Sequence, residues 1–331
     1  MEYRRLGRSG LKLSALSFGS WVTFGYQLDE SAAAECMGVA YDAGVNFFDN
    51  AEVYAGGRSE EIMGAALHRL GWPRDSYCVS SKVYWGGELP TQRGLHRKHV
   101  VEACHAALRR LKLDHLDLYF CHRPDLETPI EETVRAMHDL VAQGKVLYWG
   151  TSEWSAQQIQ QAYGVARQLG LTPPTMEQPQ YSLLHRDRVE REYLPLYAEV
   201  GLGTTVWSPL ASGILTMKYG GGEVPPASRL ALPDYRWLRE RLIDSAEGQA
   251  NVARAAKVGE LARELRIPPA QLAIAWCLKN PHVSTVLLGA STVEQLRENL
   301  GAADQVARLD AGVIERLEAI LQNKPQLPVQ F

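Results

Sequence analysis

The sequence has few cysteines and no pattern that would join them. It contains five, an odd number, and none of them stands in a C-x-x-C spacing. Because they lie mostly within apolar helix or strand patterns, we expect reduced thiols in a hydrophobic core, with neither a disulfide framework nor a metal site. This usage of cysteine predicts a cytoplasmic protein.

Long hydrophobic runs and an excess of basic residues are also missing. No apolar run approaches the roughly 20 residues that a membrane-spanning helix needs, and Met1 leads directly into the polar residues 2–5 without the apolar core of a secretory signal. The formal net charge of -3 gives no general attraction to nucleic acid or to an anionic membrane. We therefore expect a soluble protein that binds neither of them directly.

What the sequence does have is length and a repeating pattern. Its 331 residues are 46% hydrophobic, which is enough for a large core. Eight apolar segments, short enough to be buried on both faces, alternate with amphipathic segments of helical period. This pattern predicts an α/β fold, a (β/α)8 TIM barrel, in which residues 1–331 form one domain. A doubly wound sheet is the alternative, but no early strand-to-helix turn carries G-x-G-x-x-G.

The predicted elements can be placed along the chain. The barrel strands are residues 15–19, 46–49, 77–83, 116–122, 146–152, 175–178, 203–208 and 283–289, and the helices between them are residues 29–43, 59–70, 97–112, 130–143, 156–169, 189–200, 248–266 and 292–303. We expect an N-terminal hairpin of residues 3–6 and 11–14 to close one end of the barrel. A Gly/Pro-rich insertion at residues 209–234 follows strand seven, an extra helix at 268–280 precedes strand eight, and another helix covers 311–321.

Polar side chains follow three successive barrel strands. Asp49 and Tyr54 come at and after the second strand, Lys82 ends the third, and His122 ends the fourth. In a barrel these ends face one mouth, where a buried Lys82 would need Asp49 as its counter-ion. An unperturbed phenol, with a pKa near ~10, is a poor proton donor at neutral pH. We expect a nearby ammonium to stabilise the phenolate and lower that pKa, and an imidazole to bind a substrate oxygen. The four residues together predict a proton donor for a carbonyl that gains a hydride, although each alone is more often a strand-end charge or a core imidazole.

The same residues carry a resemblance. The run 44–54, followed by Ser59-Glu60-Glu61 and Gly64, resembles the signature of the aldo-keto reductases, with Lys82 and His122 at the family's other catalytic positions. Within that family the chain is most similar to the β-subunits of voltage-gated potassium channels and their bacterial relatives. This similarity rests on segments that cover nearly the whole chain, among them residues 21–25, 85–87, 93–95, 123–125, 131–137, 148–152, 207–211 and 272–278.

The resemblance implies NADPH as the cofactor, because the four catalytic residues have no hydride of their own. Lys218 and Arg229 carry charge suited to a 2′-phosphate, and the start of the last barrel helix offers free N–H groups to an anion. Small residues within 207–218 would let backbone amides approach the pyrophosphate. The implied cofactor-binding residues are Ser20, Trp21, Gln27, Asp49, Ser152, Gln178, Trp207, Ser208, Pro209, Leu210, Ser212, Lys218, Arg229, Gly289, Ser291, Gln295, Glu298 and Asn299. Trp21, Trp85 and Tyr84 are expected to wall the substrate end.

Three positions depart from what the resemblance implies. Asn50 replaces the commoner threonine, and Glu153 stands where the animal channel β-subunits have an arginine beside the cofactor. His122 replaces the asparagine of those subunits, which favours ordinary reductase activity.

Three functions remain open at this stage. The leading one is NADPH-dependent reduction of a small carbonyl substrate, an aldehyde or a small ketone. The second is an interaction protein, a homo-tetramer or octamer like the channel β-subunits, that binds an ion-channel partner and senses nicotinamide redox state. The third is a Schiff-base lyase with Lys82 as nucleophile, which is disfavoured because Asp49 would keep that lysine protonated.

Overall fold

The architecture was read from a computed structural model. It describes residues 1–219, 224–226 and 228–327, and for residue 229 it describes the backbone without the side chain. Within these ranges, none of the helices combines the length and the apolar character that a bilayer crossing requires.

A closed barrel of parallel strands forms the centre of the fold. Its strands follow one another around the barrel in chain order, and the last strand pairs with the first. Together with the hairpin strands β1 (Tyr3–Arg5) and β2 (Lys12–Ser14), they are β3 (Leu16–Gly19), β4 (Phe47–Asp49), β5 (Cys78–Val83), β6 (Leu116–Cys121), β7 (Val146–Thr151), β8 (Met176–Glu177), β9 (Gly203–Val206) and β10 (Thr285–Leu288). The prediction of a (β/α)8 barrel is confirmed.

Helices surround the barrel and connect its strands. They are α1 (Glu30–Asp42), α2 (Arg58–Leu70), α3 (Arg97–Leu111), α4 (Ile130–Ala142), α5 (Ala156–Leu169), α6 (Leu194–Glu199), α7 (Arg236–Arg239), α8 (Ala246–Glu264), α9 (Pro269–Lys279), α10 (Val293–Leu300), α11 (Ala302–Gln305) and α12 (Ala311–Leu321). Their ends follow local chemistry: the Asp29 carboxylate accepts from two backbone N–H groups at the start of α1, and Gly170 ends α5 in a left-handed conformation. The extra helices predicted before the last strand and near the C-terminus are α9 and α12.

The N-terminal hairpin closes the amino end of the barrel. Leu6 and Leu13 are fully buried and pack against apolar side chains of the barrel interior, including Phe47 and Leu118. Gly7 makes this close fit possible, because a Cβ atom there would lie 2.3 Å from the backbone oxygen of Gly201, two residues before β9. The hairpin therefore closes one end of the barrel, as the sequence predicts.

The predicted helices fail where backbone chemistry interrupts an apolar pattern. The predicted helix 189–200 is a π-type turn, Arg188–Glu192, followed by the short α6, which carries Pro195 in its first turn. The predicted helix 292–303 breaks at Gly301 into α10 and α11. The insertion at 209–234 contains short 3₁₀ turns, Ala211–Thr216, Arg229–Ala231 and Pro233–Tyr235, and leads into α7. The barrel itself is unaffected by these differences.

Candidate functional site

A buried ion pair lies at the carboxyl end of the barrel. The Nζ atom of Lys82 is 2.6 Å from Oδ2 of Asp49 and donates a second hydrogen bond, 2.8 Å long, to the carbonyl oxygen of Asn50. The other carboxylate oxygen of Asp49 accepts from Oγ of Ser80 at 2.7 Å and from Nε2 of Gln178 at 3.1 Å. Because both charged groups are hydrogen-bonded on several sides, the pair is fixed in position despite its burial.

Tyr54 completes this network from the loop after β4. Lys82 Nζ donates to its phenol oxygen at 3.0 Å, so the phenol hydrogen stays available for another group. Burial raises the pKa of Tyr54 above its usual value, and the charge of Lys82 opposes that rise without reversing it. The expectation of a lowered pKa is therefore not met in this cavity, because desolvation of the phenolate outweighs the nearby ammonium. The protonated phenol is the form that a proton donor needs at neutral pH.

Lys82 remains a cation in this setting. Burial disfavours its charge, but Asp49 and Tyr54 more than offset that effect, and the net pKa of Lys82 is raised. A lysine that attacks a carbonyl must first lose its proton, so this environment opposes the Schiff-base alternative.

His122 lies beside the phenol, directly after β6. Its ring centroid is 5.8 Å from that of Tyr54 and 5.1 Å from that of Trp85. Burial holds the pKa of His122 well below its usual value, and the charges of Lys82 and Arg123 lower it further. The imidazole is therefore neutral near pH 7. Its Nδ1 atom is buried, and no described residue forms a hydrogen bond with its Nε2 atom, the ring nitrogen that is not enclosed by the protein. A neutral imidazole with an unused nitrogen is suited to a hydrogen bond with a ligand oxygen.

An elongated cavity of about 620 Å³ extends from these groups across the barrel mouth. It runs from Tyr54, His122 and Trp85 to the turn before α10. The predicted cofactor residues that line it are Trp21, Gln27, Asp49, Ser152, Gln178, Trp207, Ser208, Pro209, Leu210, Ser212, Lys218, Gly289, Ser291, Gln295, Glu298 and Asn299.

One predicted cofactor residue of the described part of the chain, Ser20, does not appear in this lining. The hydroxyl group of Ser20 is fully buried and donates to the backbone oxygen of Asp49 at 3.0 Å, so it serves the strand end and does not face the cavity. Thr23, three residues later, lines the cavity in its place. The side chain of Arg229 lies outside the described residues.

Polar groups occur along the cavity, but one expected set of anion-binding groups is not directed into it. At the catalytic end, Ser152 Oγ donates to the backbone oxygen of Gln178 at 2.8 Å and can still accept a hydrogen bond. Further along, Gly213 lies beside Nζ of Lys218 and has a φ of 96°, a backbone conformation that favours glycine. The backbone amides of residues 211–213 are, however, bonded within their own turn. These three amides are therefore not directed at an anion, as the sequence led us to expect, and phosphate binding there would depend on Lys218 and on hydroxyl groups.

The far end of the cavity is the start of α10. Thr292 caps this helix by accepting from the backbone N–H of Gln295 at 3.2 Å. The backbone N–H and the hydroxyl of Ser291 both donate to the side-chain oxygen of Gln295, at 3.1 and 3.0 Å. Ser291 and Gln295 could exchange these local bonds for a phosphate or a ribose hydroxyl at the positive end of the helix.

Glu153 has a role that the sequence did not reveal. Its Oε1 atom accepts from the backbone N–H of Gln180 at 2.6 Å and from the indole N–H of Trp207 at 3.0 Å. Its backbone is left-handed, with φ 59°, which is uncommon for a residue other than glycine. Glu153 does not line the cavity; it holds Trp207, which does.

Three further residues contribute to the site and were missed as site residues. Ser80 bonds Asp49 and could have been found by strand alternation, because it precedes Lys82 by two residues and so points to the same face. Thr23 and Arg123 line the cavity, and no local pattern marks them. The one sequence feature that could have indicated Arg123 is its position directly after His122, at the end of a barrel strand.

The fold and the site together define a class of protein. It is a (β/α)8 barrel that places a phenol, an ammonium and an imidazole at the carboxyl end of its strands, beside a cavity whose lining continues to the start of α10. The model of the aldo/keto reductase family matches residues 15–322, and the chain belongs to that family. Members of this family are oxidoreductases that generally use NAD(P)H. The predicted resemblance is confirmed.

Two plant proteins are similar to this chain over its whole length. A protein of Oryza sativa subsp. japonica, described as a probable voltage-gated potassium channel subunit beta, is 52% identical over 327 residues, which are 98% of this chain and 98% of that protein. A protein of Arabidopsis thaliana with the same description is 50% identical over 332 residues and is matched over the full length of both chains. The chain is thus similar to proteins described as channel β-subunits over its whole length.

Proposed function

We propose that the protein is an NADPH-dependent aldo-keto reductase that reduces aldehydes and small ketones to alcohols, in the manner of an NADP⁺-type alcohol dehydrogenase. The observation that carries this proposal is the position of Lys82 Nζ, 2.6 Å from Asp49 and 3.0 Å from the phenol oxygen of Tyr54. A phenol held against a fixed ammonium can release its proton and be stabilised as phenolate in the same place.

Each residue has one part in the proposed reaction. NADPH, when bound in the cavity, would supply the hydride. Tyr54 donates its proton to the carbonyl oxygen, and Lys82, held by Asp49, stabilises the phenolate that remains. His122, whose imidazole is neutral and has no described partner at Nε2, donates a hydrogen bond to the same oxygen and orients the carbonyl. Trp21 and Trp85 exclude water from this end, because both rings line the cavity around the phenol.

The test is turnover by the purified protein with NADPH and a panel of aldehydes. Tyr54→Phe removes only a hydroxyl group and should lower turnover by roughly 10²- to 10⁴-fold while NADPH binding stays nearly unchanged. His122→Asn keeps a hydrogen-bond donor and should slow turnover less than Tyr54→Phe does. Hydride transfer at the parent rate in a Tyr54→Phe variant that binds NADPH normally would exclude this mechanism.

The preference for NADPH over NADH is part of the same proposal. Lys218 lines the cavity, and Arg229 and Ser291 are assigned with it to the additional phosphate of NADPH. Titration of both cofactors by quenching of tryptophan fluorescence tests this assignment. Equal affinities for the two cofactors, unaffected by Lys218→Ala, would contradict it.

A second candidate function is favoured by the full-length similarity to two plant proteins described as channel β-subunits. In this function the single-domain chain forms a homo-tetramer or octamer in the cytoplasm, binds an ion-channel partner and senses nicotinamide redox state. Light scattering of the purified protein tests the assembly, and a monomer mass at micromolar concentration would count against it. Co-purification with a channel from the source membrane, compared between NADPH-bound and NADP⁺-bound protein, tests the partner.

A further inference from the structure

The cavity contains a guanidinium group that the proposed mechanism does not use. Arg123 is half-buried, lines the cavity and follows His122 in the chain. Lys82, the other cation next to the reacting groups, is neutralised by Asp49, but no carboxylate of the described residues pairs with Arg123. A cation without a counter-ion in a partly desolvated cavity attracts an anionic ligand.

The hydrogen bonds of Arg123 leave one edge of the guanidinium available. Its Nη1 atom donates to the backbone oxygen of His122 and, at 3.3 Å, to Oγ of Ser152. No described residue accepts from its Nε or Nη2 atoms. These two groups form the planar fork that binds both oxygens of a carboxylate.

Trp85 links this fork to the reacting end of the cavity. The Cζ atom of Arg123 lies 5.4 Å from the centre of the Trp85 ring, and that ring centre lies 5.1 Å from the ring centre of His122. The guanidinium therefore lies over the indole ring, at a distance at which a cation and an aromatic ring attract each other. A flat substrate that packs along Trp85 would reach His122 and Tyr54 with its carbonyl group and Arg123 with an acidic group.

We propose that Arg123 is a specificity-determining residue, which binds the carboxylate of a carbonyl substrate that carries one on a flat or aromatic frame. This inference rests on the proposed reductase function and adds a substrate class to it. The charge of Arg123 also lowers the pKa of His122 and opposes the rise in that of Tyr54, so a bound carboxylate would screen a cation that acts on both groups.

The experiment compares each acid with its own ester. Ortho-, meta- and para-carboxybenzaldehyde and their methyl esters are reduced with NADPH, and the ratio of kcat/KM for acid over ester is the measured quantity. We expect this ratio to exceed about tenfold for at least one isomer, because a charged bidentate hydrogen bond contributes to the acid alone. In Arg123→Gln the ratio should fall below one for that isomer, and Arg123→Lys should give an intermediate ratio, because a point charge replaces the fork.

Arg93→Gln is the matched control. Arg93 is on the loop that carries Trp85, is half exposed and lies 3.7 Å from Glu88, so this variant removes a positive charge near the mouth but outside the cavity lining. Its ratio should stay within about twofold of the parent ratio, because exposed charges are screened.

Three results would overturn the proposal. One is a parent enzyme that prefers the ester for all three isomers, a comparison that needs no variant. Another is an equal loss for acid and ester in Arg123→Gln, which would make Arg123 a positioning residue for His122. The third is weaker NADPH binding with an unchanged ratio, which would assign Arg123 to the cofactor. In each case, reduction of the neutral esters by the parent enzyme would leave the proposed reductase function standing, whereas no turnover of any aldehyde would reject that function itself.

Discussion

The two ends of the barrel are built from the same strands, but the amino end is an apolar core and the carboxyl end contains the candidate site. In β4, Phe47 belongs to the apolar cluster at the amino end, and two residues later Asp49 belongs to the ion pair at the carboxyl end. In β5, Cys78 and Lys82 show the same change. Strand alternation places each pair on one face, so roughly 7 to 13 Å along a strand separates hydrophobic packing from the reacting groups.

This difference concerns stability as well as function. At the amino end, burial of apolar groups such as Leu6 and Leu13 stabilises the fold directly. At the carboxyl end, burial of charges is costly, and their stability depends on every partner being present. We therefore expect substitutions at the carboxyl end to separate activity from stability, and substitutions at the amino end to change stability alone.

The largest effect is expected for Lys82→Met. Turnover should fall by roughly 10²-fold or more, because the phenolate of Tyr54 loses its cation. The free energy of unfolding should also fall by roughly 3 to 5 kcal/mol, because Asp49 is left as an unpaired buried charge. Urea unfolding and steady-state kinetics measure the two effects separately.

A second substitution separates the loss of turnover from the loss of stability. Lys82→Met with Asp49→Asn removes both charges and keeps an oxygen that can accept from Ser80 and Gln178. We expect this double variant to recover most of the lost stability and none of the lost turnover. A double variant no more stable than Lys82→Met would show that the ion pair is not what makes this end sensitive.

Leu13→Ala is the corresponding test at the amino end. Leu13 is fully buried between the hairpin and the barrel interior, so its truncation should lower the free energy of unfolding by about 2 to 4 kcal/mol. Turnover per folded molecule should stay within roughly twofold of the parent value, since no reacting group is touched. Leu126→Ala, at an 86% exposed position, is the control and should change stability by less than about 0.5 kcal/mol. A large loss of turnover in folded Leu13→Ala would mean that the two ends are coupled.

The sequence predicts the barrel strands of this fold better than it predicts where the helices break. Doubly buried strands have a local signature, a short apolar run, and all eight barrel strands could be located from it. The breaks at Pro195 and Gly301 were missed, because the apolar period continues across them and only the turn geometry interrupts the helix. The hairpin was predicted from its glycine-rich turn.

The site is predictable where one strand end sets a residue's position. Asp49, Lys82 and His122 end or follow successive strands, so barrel geometry alone brings them together. Arg123 and Glu153 also follow strand ends, but their partners come from distant loops, Trp85 and Trp207, whose conformations no local pattern encodes. Sequence reasoning therefore found the residues assigned to the reaction and missed those that position their surroundings.

Glu177 is a buried acid of the barrel wall that, unlike Asp49, has no cation as its direct partner. Its Oε2 atom bonds the hydroxyl of Thr151, and its Oε1 atom has no partner within the described residues. Burial raises the pKa of Glu177 to about 8. Between its unfolded pKa and this folded value, the folded state holds a proton that the unfolded state has lost, so stability must fall as pH rises.

We expect the free energy of unfolding to fall by roughly 2 kcal/mol between pH 6 and pH 8 on account of this single group. Glu177→Gln cannot ionise and should remove that slope. Urea unfolding of both proteins at several pH values measures it, with Glu61→Gln, a half-exposed acid paired with Arg58, as the control that keeps the slope. Parallel pH profiles for the parent and Glu177→Gln would show that Glu177 is already ionised in the folded protein.

The smallest effect is expected at Glu153, a residue of the carboxyl end that takes no part in the proposed chemistry. Its Oε1 atom accepts from Gln180 N–H and from the Trp207 indole, while its charge faces Arg188, whose Nε lies 3.6 Å from Oε2. Glu153→Gln keeps an acceptor oxygen and loses the charge, and because both partners of the ion pair are partly exposed, we expect NADPH affinity to change by less than about threefold.

Glu153→Leu separates the acceptor from the charge. It removes the acceptor and releases the Trp207 indole from its fixed position, so NADPH affinity should fall by about three- to tenfold, as the loss of one neutral hydrogen bond implies. Quenching of tryptophan fluorescence by NADPH measures both variants. Equal losses in the two variants would assign the effect to the charge, and no loss in Glu153→Leu would show that Trp207 holds its place without this bond. The left-handed backbone of Glu153, which costs about 1 kcal/mol, would then need another explanation, because holding the indole is the one use that the structure gives to the side chain placed there.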